Sequence, residues 1–142
     1  MTFERSKYSS KIQHTKVVLS FGNFYFTERF VISEINQGIH FGWTEIQDLI
    51  TAVVEHYGSD HKIAYISNRL NSYSYEPDSW IRLEKMYDNL IASAIVSYHN
   101  LGNMNASLDK LMSKKSIKRC ETIDEAIEWV LNLNEFKATD VA

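Results

Sequence analysis

The apolar stretch "IAYIS" gives way at once to Asn68, Arg69, Asn71, Ser72, Tyr73 and Ser74, ahead of "EPDSW". Amides, hydroxyls and a single guanidinium suit the recognition of an anion or polar ligand. Arg69 would be the two-pronged donor and the asparagines would fix orientation. His40 and His99 add two groups that titrate near neutrality. The same residue types also make plain turns, in which Asn68 and Asn71 bond nearby backbone and Arg69 is a solvated charge.

Catalysis asks for more. Ser67 or Ser72 beside His40 or His99 would supply a nucleophile and a base. The chain has no G-x-S-x-G elbow and no glycine-rich oxyanion turn to accompany them. It also lacks H-E-x-x-H or C-x-x-C spacing for a metal and G-x-x-x-x-G-K-[ST] for a nucleotide, so neither metal nor cofactor is expected. Cys120 is the single cysteine. It excludes an internal disulfide, suits a reducing, cytoplasmic setting, and at a strand end reads as a small buried hydrophobe.

The elements that must position these residues follow from periodicity. "VVLSFGNFYF" (17–26) and "FVISEIN" (30–36) are β-branched and aromatic runs, separated by "TER" as in a hairpin, with Gly22 marking a bulge or bend. In "GWTEIQDLITAVVEHYG", Ile46, Leu49, Ile50, Val53, Val54 and Tyr57 form one helical stripe. Thr44 and Gln47 suit a capping box there, and Gly58 a left-handed stop. "KIAYIS" reads as a central strand covered on both faces. A helix over about residues 77–89 follows, started by Pro77 and Asp78. "IASAIVSY" (91–98) is a further interior strand, "NASLDKLMSK" a short helix and "SIKRC" a short strand. The closing helix opens at Thr122 with Glu125 as a capping box and carries Ile123, Ala126, Ile127, Val130 and Leu131 inward.

The order is β-β-α-β-α-β-α-β-α. It predicts one α/β domain with a mixed, mostly parallel five-stranded sheet and four helices, spanning 17–136 between a flexible tail (1–16) and a frayed end (137–142). In such sheets ligands bind beyond the carboxyl ends of the parallel strands. That brings the polar run, His40 and His99 to one rim and sends His56 and His61 to the opposite end.

"YISNRLNSYSYEP" after the third strand, "AIVSY" as the fourth and "ETIDEAIEWV" as the closing helix make residues 17–134 resemble the STAS fold. That fold is shared by sulphate-transporter tails and anti-sigma factor antagonists; the likeness is greater to short bacterial STAS/SEC14-like proteins. The resemblance implies a mostly non-catalytic module that binds a partner protein, switched in the antagonists by phosphorylation of a serine at the start of the helix after the third strand. Ser74 and Ser72 occupy the corresponding place, although the antagonists' Asp-Ser-x-Gly pattern is absent. A phosphate at a helix start favours Ser74. The SEC14 side of the likeness implies an apolar or lipid ligand.

Composition narrows the classes. The 142 residues carry a net charge of −3 with a pI near 5.9, which speaks against a nucleic-acid partner. Arg5, Lys7, Lys11 and Lys16 gather at the front against Glu4 alone, as in a mobile tail rather than a basic arm. No segment there has signal-peptide character, and no run reaches the roughly 18 apolar residues of a membrane span. Trp129, Leu133 and Phe136 make a second stripe on the last helix, either an exposed interface for a partner or a second copy, or part of a wide buried arc. The expectation is a cytoplasmic, non-enzymatic binding module for an unknown protein partner or small ligand. A small hydrolase or transferase using His40, His99 and Arg69 is the alternative, and a lipid binder the third.

Overall fold

A computed structural model describes residues 1–98 and 116–136. Its strands are β1 (Thr15–Leu19), β2 (Gly22–Phe26), β3 (Phe30–Ile35), β4 (His40–Phe41), β5 (Ile63–Arg69), β6 (Ser74–Tyr75), β7 (Leu90–Ser97) and β8 (Ser116–Cys120). Its α-helices include α1 (Trp43–Tyr57), α2 (Pro77–Met86) and α3 (Ile123–Leu131). The helix expected in "NASLDKLMSK" and the end at 137–142 lie outside the described residues.

Six strands form one sheet in the order β1-β2-β3-β5-β7-β8, one more than the sequence suggests. The run 17–26 is not one strand but part of a hairpin, turning at Ser20 and Phe21 so that Leu19 pairs with Gly22. The unbroken apolar character of that run hides the turn. Gly22 then lies so close to the next strand that a Cβ there would sit 2.7 Å from the Glu34 carbonyl oxygen. The expected hairpin between β2 and β3 is present and antiparallel. Thr27 closes it, its hydroxyl donating to Phe30 O at 2.9 Å and accepting from Phe30 N at 3.1 Å. From β3 through β5 and β7 to β8 the pairing is parallel.

The segment 1–16, expected as a tail, is packed instead. It makes 3-10 turns over Phe3–Arg5 and Lys7–Ser10 before β1 begins at Thr15. One aromatic explains the difference. The Phe3 ring is fully buried 4.9 Å from Tyr25, and burying such a ring contributes about 1.5–3 kcal/mol toward ordering the chain around it.

Two cores lie on the two faces of the sheet. On one, Phe30, Ile32, Ala64 and Ile66 meet Phe3 and the α3 residues Ile123, Ala126, Ile127 and Val130. On the other, Val31, Ile35, Ile63 and Tyr65 meet Ile46, Leu49 and Val53 of α1 and Leu83 of α2. The pleat of β5 therefore directs Ala64, Ile66 and Asn68 one way and Tyr65, Ser67 and Arg69 the other.

The helix ends refine the capping expectations. At α1 the N-cap is Gly42, whose N–H donates to Glu45 Oε1 at 2.9 Å, so Thr44 and Gln47 do not form the box. Gly58 ends that helix at φ 85°, the left-handed stop expected of it. At α3, Thr122 Oγ1 accepts from Glu125 N at 3.1 Å, while the Glu125 carboxylate reaches back to Glu121 N at 3.0 Å. The Trp129, Leu133 and Phe136 stripe is not an exposed patch: Leu133 and Phe136 are buried in the core and Trp129 is half-buried against it. Leu133 and Phe136 lie past the end of α3 at Leu131, so they reach the core from the chain that follows the helix and are not a second stripe on it.

Candidate functional site

Tyr65, Ser67 and Arg69 succeed one another on the face of β5 that looks toward α1 and α2, and they floor a narrow cleft. Ser93 and Ile95 of β7 and Ile117 of β8 extend the floor. Tyr73, Tyr75 and Glu76 cross above it, and Phe41, Ile46 and Trp80 wall it. The inner space is about 30 Å³, room for about two waters, and the cleft measures about 480 Å³ out to its open mouth. It lies over the carboxyl half of β5, where the topology of an open α/β sheet leads one to look.

The polar groups of the cleft are held in place. Arg69 Nε donates to Ser67 Oγ at 3.3 Å, and the guanidinium lies 5.0 Å from the centroid of the Tyr75 ring. Ser67 Oγ and Tyr73 OH are 3.2 Å apart. Tyr65 OH donates to Ser33 Oγ at 2.6 Å, which fixes its ring 5.1 Å from that of Trp80. The Trp80 indole N–H is buried and has no hydrogen-bond partner among the described residues.

Above the cleft, β6 pairs in parallel with β4, His40 opposite Ser74 and Phe41 opposite Tyr75. The pleat turns Tyr73 and Tyr75 toward the cleft and Ser74 away from it. Ser74 Oγ and His40 Nδ1 are 2.8 Å apart, and His40 Nε2 and Glu76 Oε1 2.9 Å apart, on an exposed surface. Gly42 makes room for this chain of contacts, since a Cβ there would sit 2.3 Å from Glu76 Oε1.

The polar run thus divides by role. Arg69 and Tyr73 belong to the cleft. Asn68 points through the sheet to the opposite core and is a structural residue. Its amide donates to Glu34 Oε2 at 2.9 Å and to Met1 O at 3.0 Å, and its carbonyl oxygen accepts from Tyr98 OH at 2.9 Å. Asn71 and Ser72 stitch the loop to the end of β3: Asn71 Nδ2 donates to Ile35 O at 3.0 Å and Ser72 N to Gln37 Oε1 at 2.9 Å. His40 joins Ser74, and Glu76 both meets His40 and borders the cleft. His99 lies outside the described residues. Trp80 and Ser93 were not foreseen. The i, i+2, i+4 spacing of Tyr65, Ser67 and Arg69 could have revealed which neighbours share a face.

His56 and His61 lie at the other end of the sheet, as their positions before β5 require. With His14 they border a wider cleft, about 1200 Å³ out to its open mouth, where the Tyr57 ring stacks on His61 at 4.9 Å and on Phe26 at 5.6 Å. Among the described residues no group of three or more His, Cys, Asp or Glu side chains is placed to hold a metal ion. No helix there is long and apolar enough to cross a membrane.

No protein-family model matches the sequence, and no curated protein matches it significantly. Among solved structures, an uncharacterised Shewanella loihica PV-4 protein from the DUF3478 family, with a SpoIIAA-like fold, superposes with a TM-score of 0.50 at 9% identity. The match covers 84% of this chain and 93% of that one. At that identity the likeness speaks for the fold alone. The chain has the SpoIIAA-like α/β fold, the STAS fold that its motifs resemble.

Proposed function

We propose that the protein is a non-enzymatic binding module whose ligand enters the cleft under β6, through the segment that follows β5. The observation that supports this most is that Arg69 and Ser67, bonded to each other, lie on the floor of a cleft whose walls are largely aromatic and aliphatic. Apolar walls with a few fixed polar groups are the usual make-up of a small-molecule site. An inner space of about 30 Å³ leaves no room for a lipid chain without rearrangement, so a compact ligand fits better than the lipid expected from the SEC14 likeness.

The test is a fragment screen by NMR on the whole chain, following the indole N–H signals of its three tryptophans. Hits should move the Trp80 signal and lose affinity in an Arg69→Ala, Tyr73→Ala variant. A diverse library whose hits never move Trp80, and bind parent and variant alike, overturns the reading.

The hydrolase alternative has one observation in its favour, the line of contacts from Ser74 through His40 to Glu76. These residue types are those of a nucleophile, a base and its orienting acid. Labelling with a fluorophosphonate and turnover of activated esters, both lost in Ser74→Ala and His40→Gln, would favour it. An unlabelled Ser74 in the parent removes it.

A further inference from the structure

We infer that the sheet carries a second recognition site, on the face away from the cleft, for an extended peptide segment of a partner protein that bears a phenylalanine. Residues 1–3 of the chain fill it as an internal substitute. The site lies under α3 rather than under α1 and α2, and does not depend on the cleft having a ligand.

Three side chains build the site. Glu34 in β3, Asn68 in β5 and Tyr98 just past β7 stand toward the carboxyl ends of adjacent parallel strands, the edge where open α/β sheets place ligands. Asn68 Nδ2 donates to Glu34 Oε2 at 2.9 Å and Tyr98 OH to Asn68 Oδ1 at 2.9 Å, so each fixes the next. What they hold is main chain. Asn68 Nδ2 also donates to Met1 O at 3.0 Å, and Phe3 N–H to Glu34 Oε2 at 2.8 Å, with Thr2 extended between them at φ −69° and ψ 157°. The carbonyl before an extended residue and the N–H after it point the same way, so Asn68 and Glu34 read this pair as a neighbouring strand would. Structural as seen from the cleft, Asn68 is a recognition residue here.

Main-chain reading tolerates many sequences, and a side-chain pocket adds the selectivity. The pocket is the wholly buried place of the Phe3 ring, 4.9 Å from both Tyr25 and His14. Around it the segment is lightly held. Of residues 1–12 only Phe3 and Ser6 are buried, and the links from Tyr8 to Glu128 and from Lys16 to Glu4 are exposed, where such pairs contribute little. An empty site would leave the buried Glu34 carboxyl and Asn68 amide short of partners, which favours one occupant replacing another over vacancy. A partner segment with a Phe, open at its own N–H and at the carbonyl two residues before, supplies all that residues 1–3 supply.

The probes are capped hexapeptides: MTFERS from residues 1–6, the unrelated AAFAAA, and MTFERS with its Phe nitrogen methylated. Each is titrated into the full chain, parent and Phe3→Asp, while the Asn68 side-chain amide signals are followed by NMR. Phe3→Asp brings a charge that the apolar core rejects and should empty the site. MTFERS and AAFAAA should then bind the variant within about tenfold of each other, and about tenfold or more tighter than they bind the parent. The methylated peptide, which has lost the donor to Glu34, should bind about tenfold or more weakly. Equal affinity for parent and variant would place the peptides elsewhere and remove the site. Equal binding of the methylated peptide overturns the main-chain reading. Binding of MTFERS alone makes the segment a fixed part of its own fold, and no binding of either peptide at millimolar concentration ends the proposal outright. A parent dimer that the peptides dissociate gives the site to a second copy in place of a partner. If Phe3→Asp fails to fold, Phe3→Ala replaces it, and failure of both shows residues 1–3 to be integral to the fold, which also overturns the proposal.

Discussion

The Asn68 side-chain amide donates to the Glu34 carboxylate at 2.9 Å, with Asn68 wholly out of solvent. The same Glu34 oxygen accepts the Phe3 N–H at 2.8 Å, so one buried carboxylate joins β5, β3 and the start of the chain. Tyr98 OH completes the arrangement at Asn68 Oδ1. Because β5 is pleated, this network faces the core beneath α3 while Ser67 and Arg69, its neighbours in sequence, face the cleft. A substitution at Asn68 therefore acts on stability and N-terminal docking before it acts on any ligand.

Burial raises the Glu34 carboxyl above the ordinary carboxylate value, and the bonds from Phe3 N–H and Asn68 offset this only in part. Its protonated form is thus favoured by folding. Its contribution to stability is fully present below the ordinary carboxylate pKa and is lost as pH rises through the raised folded value. Gln at this position keeps an acceptor for both donors and cannot ionise. Urea unfolding from pH 4 to 7 should show Glu34→Gln gaining stability relative to the parent as pH rises. A difference that stays constant with pH would mean that the buried group does not titrate as the structure implies.

Phe3→Ala should release the opening segment. Removing a fully buried ring costs at most about 3–5 kcal/mol, and less where a terminal segment can detach without unfolding the sheet. Amide exchange should accelerate over residues 3–12 and stay slow in β5. Unaltered exchange over 3–12 would show that the segment is held by contacts other than this ring.

Much of this architecture is legible in the residues, for reasons that also explain the gaps. β5 and β7 stand out because continuous apolar runs suit strands covered on both faces, and α1 and α3 because their stripes repeat over at least two turns. The β1–β2 hairpin does not stand out, since Phe21 and Gly22 sit inside an unbroken apolar run. Docking of the first residues depends on Phe3 finding Tyr25 across the fold, which no local pattern encodes. Of the polar run from Asn68 to Ser74, Arg69 and Tyr73 line the cleft. Grouping Asn68 with them ignored the period of two along a strand, and the orphan donor of Trp80 depends on packing.

Two glycines sit against close neighbours with opposite consequences. At Gly22 an added Cβ would meet the Glu34 backbone oxygen at 2.7 Å, inside an antiparallel pair that cannot part without losing its bonds. At Gly42 the obstacle is the exposed end of the Glu76 side chain, and φ of −107° is open to any residue. Gly22→Ala should cost about 1–3 kcal/mol. Gly42→Ala should cost about 0.5–1 kcal/mol, chiefly as a poorer N-cap, while driving Glu76 off His40. Denaturant unfolding measures the first effect and NMR of the His40 ring nitrogens the second. Equal costs at both positions would contradict the distinction between backbone and side-chain obstacles.

Cys120 ends β8 with 1% of its surface exposed, and burial pushes its thiol up to about 11. At pH 8 about one such thiol in a thousand is ionised, and the thiolate is the reactive form. Modification in the native protein should therefore require opening of the β8 and α3 region. Its rate should stay low in buffer and rise with denaturant in step with unfolding, whereas a rate near that of a free thiol, without denaturant, would mean that the closing helix does not seal the sheet. Thr122→Ala offers an internal comparison. Losing the bond from Glu125 N–H to Thr122 Oγ1 should cost about 1 kcal/mol and raise the labelling rate of Cys120 by severalfold while its side chain remains in place.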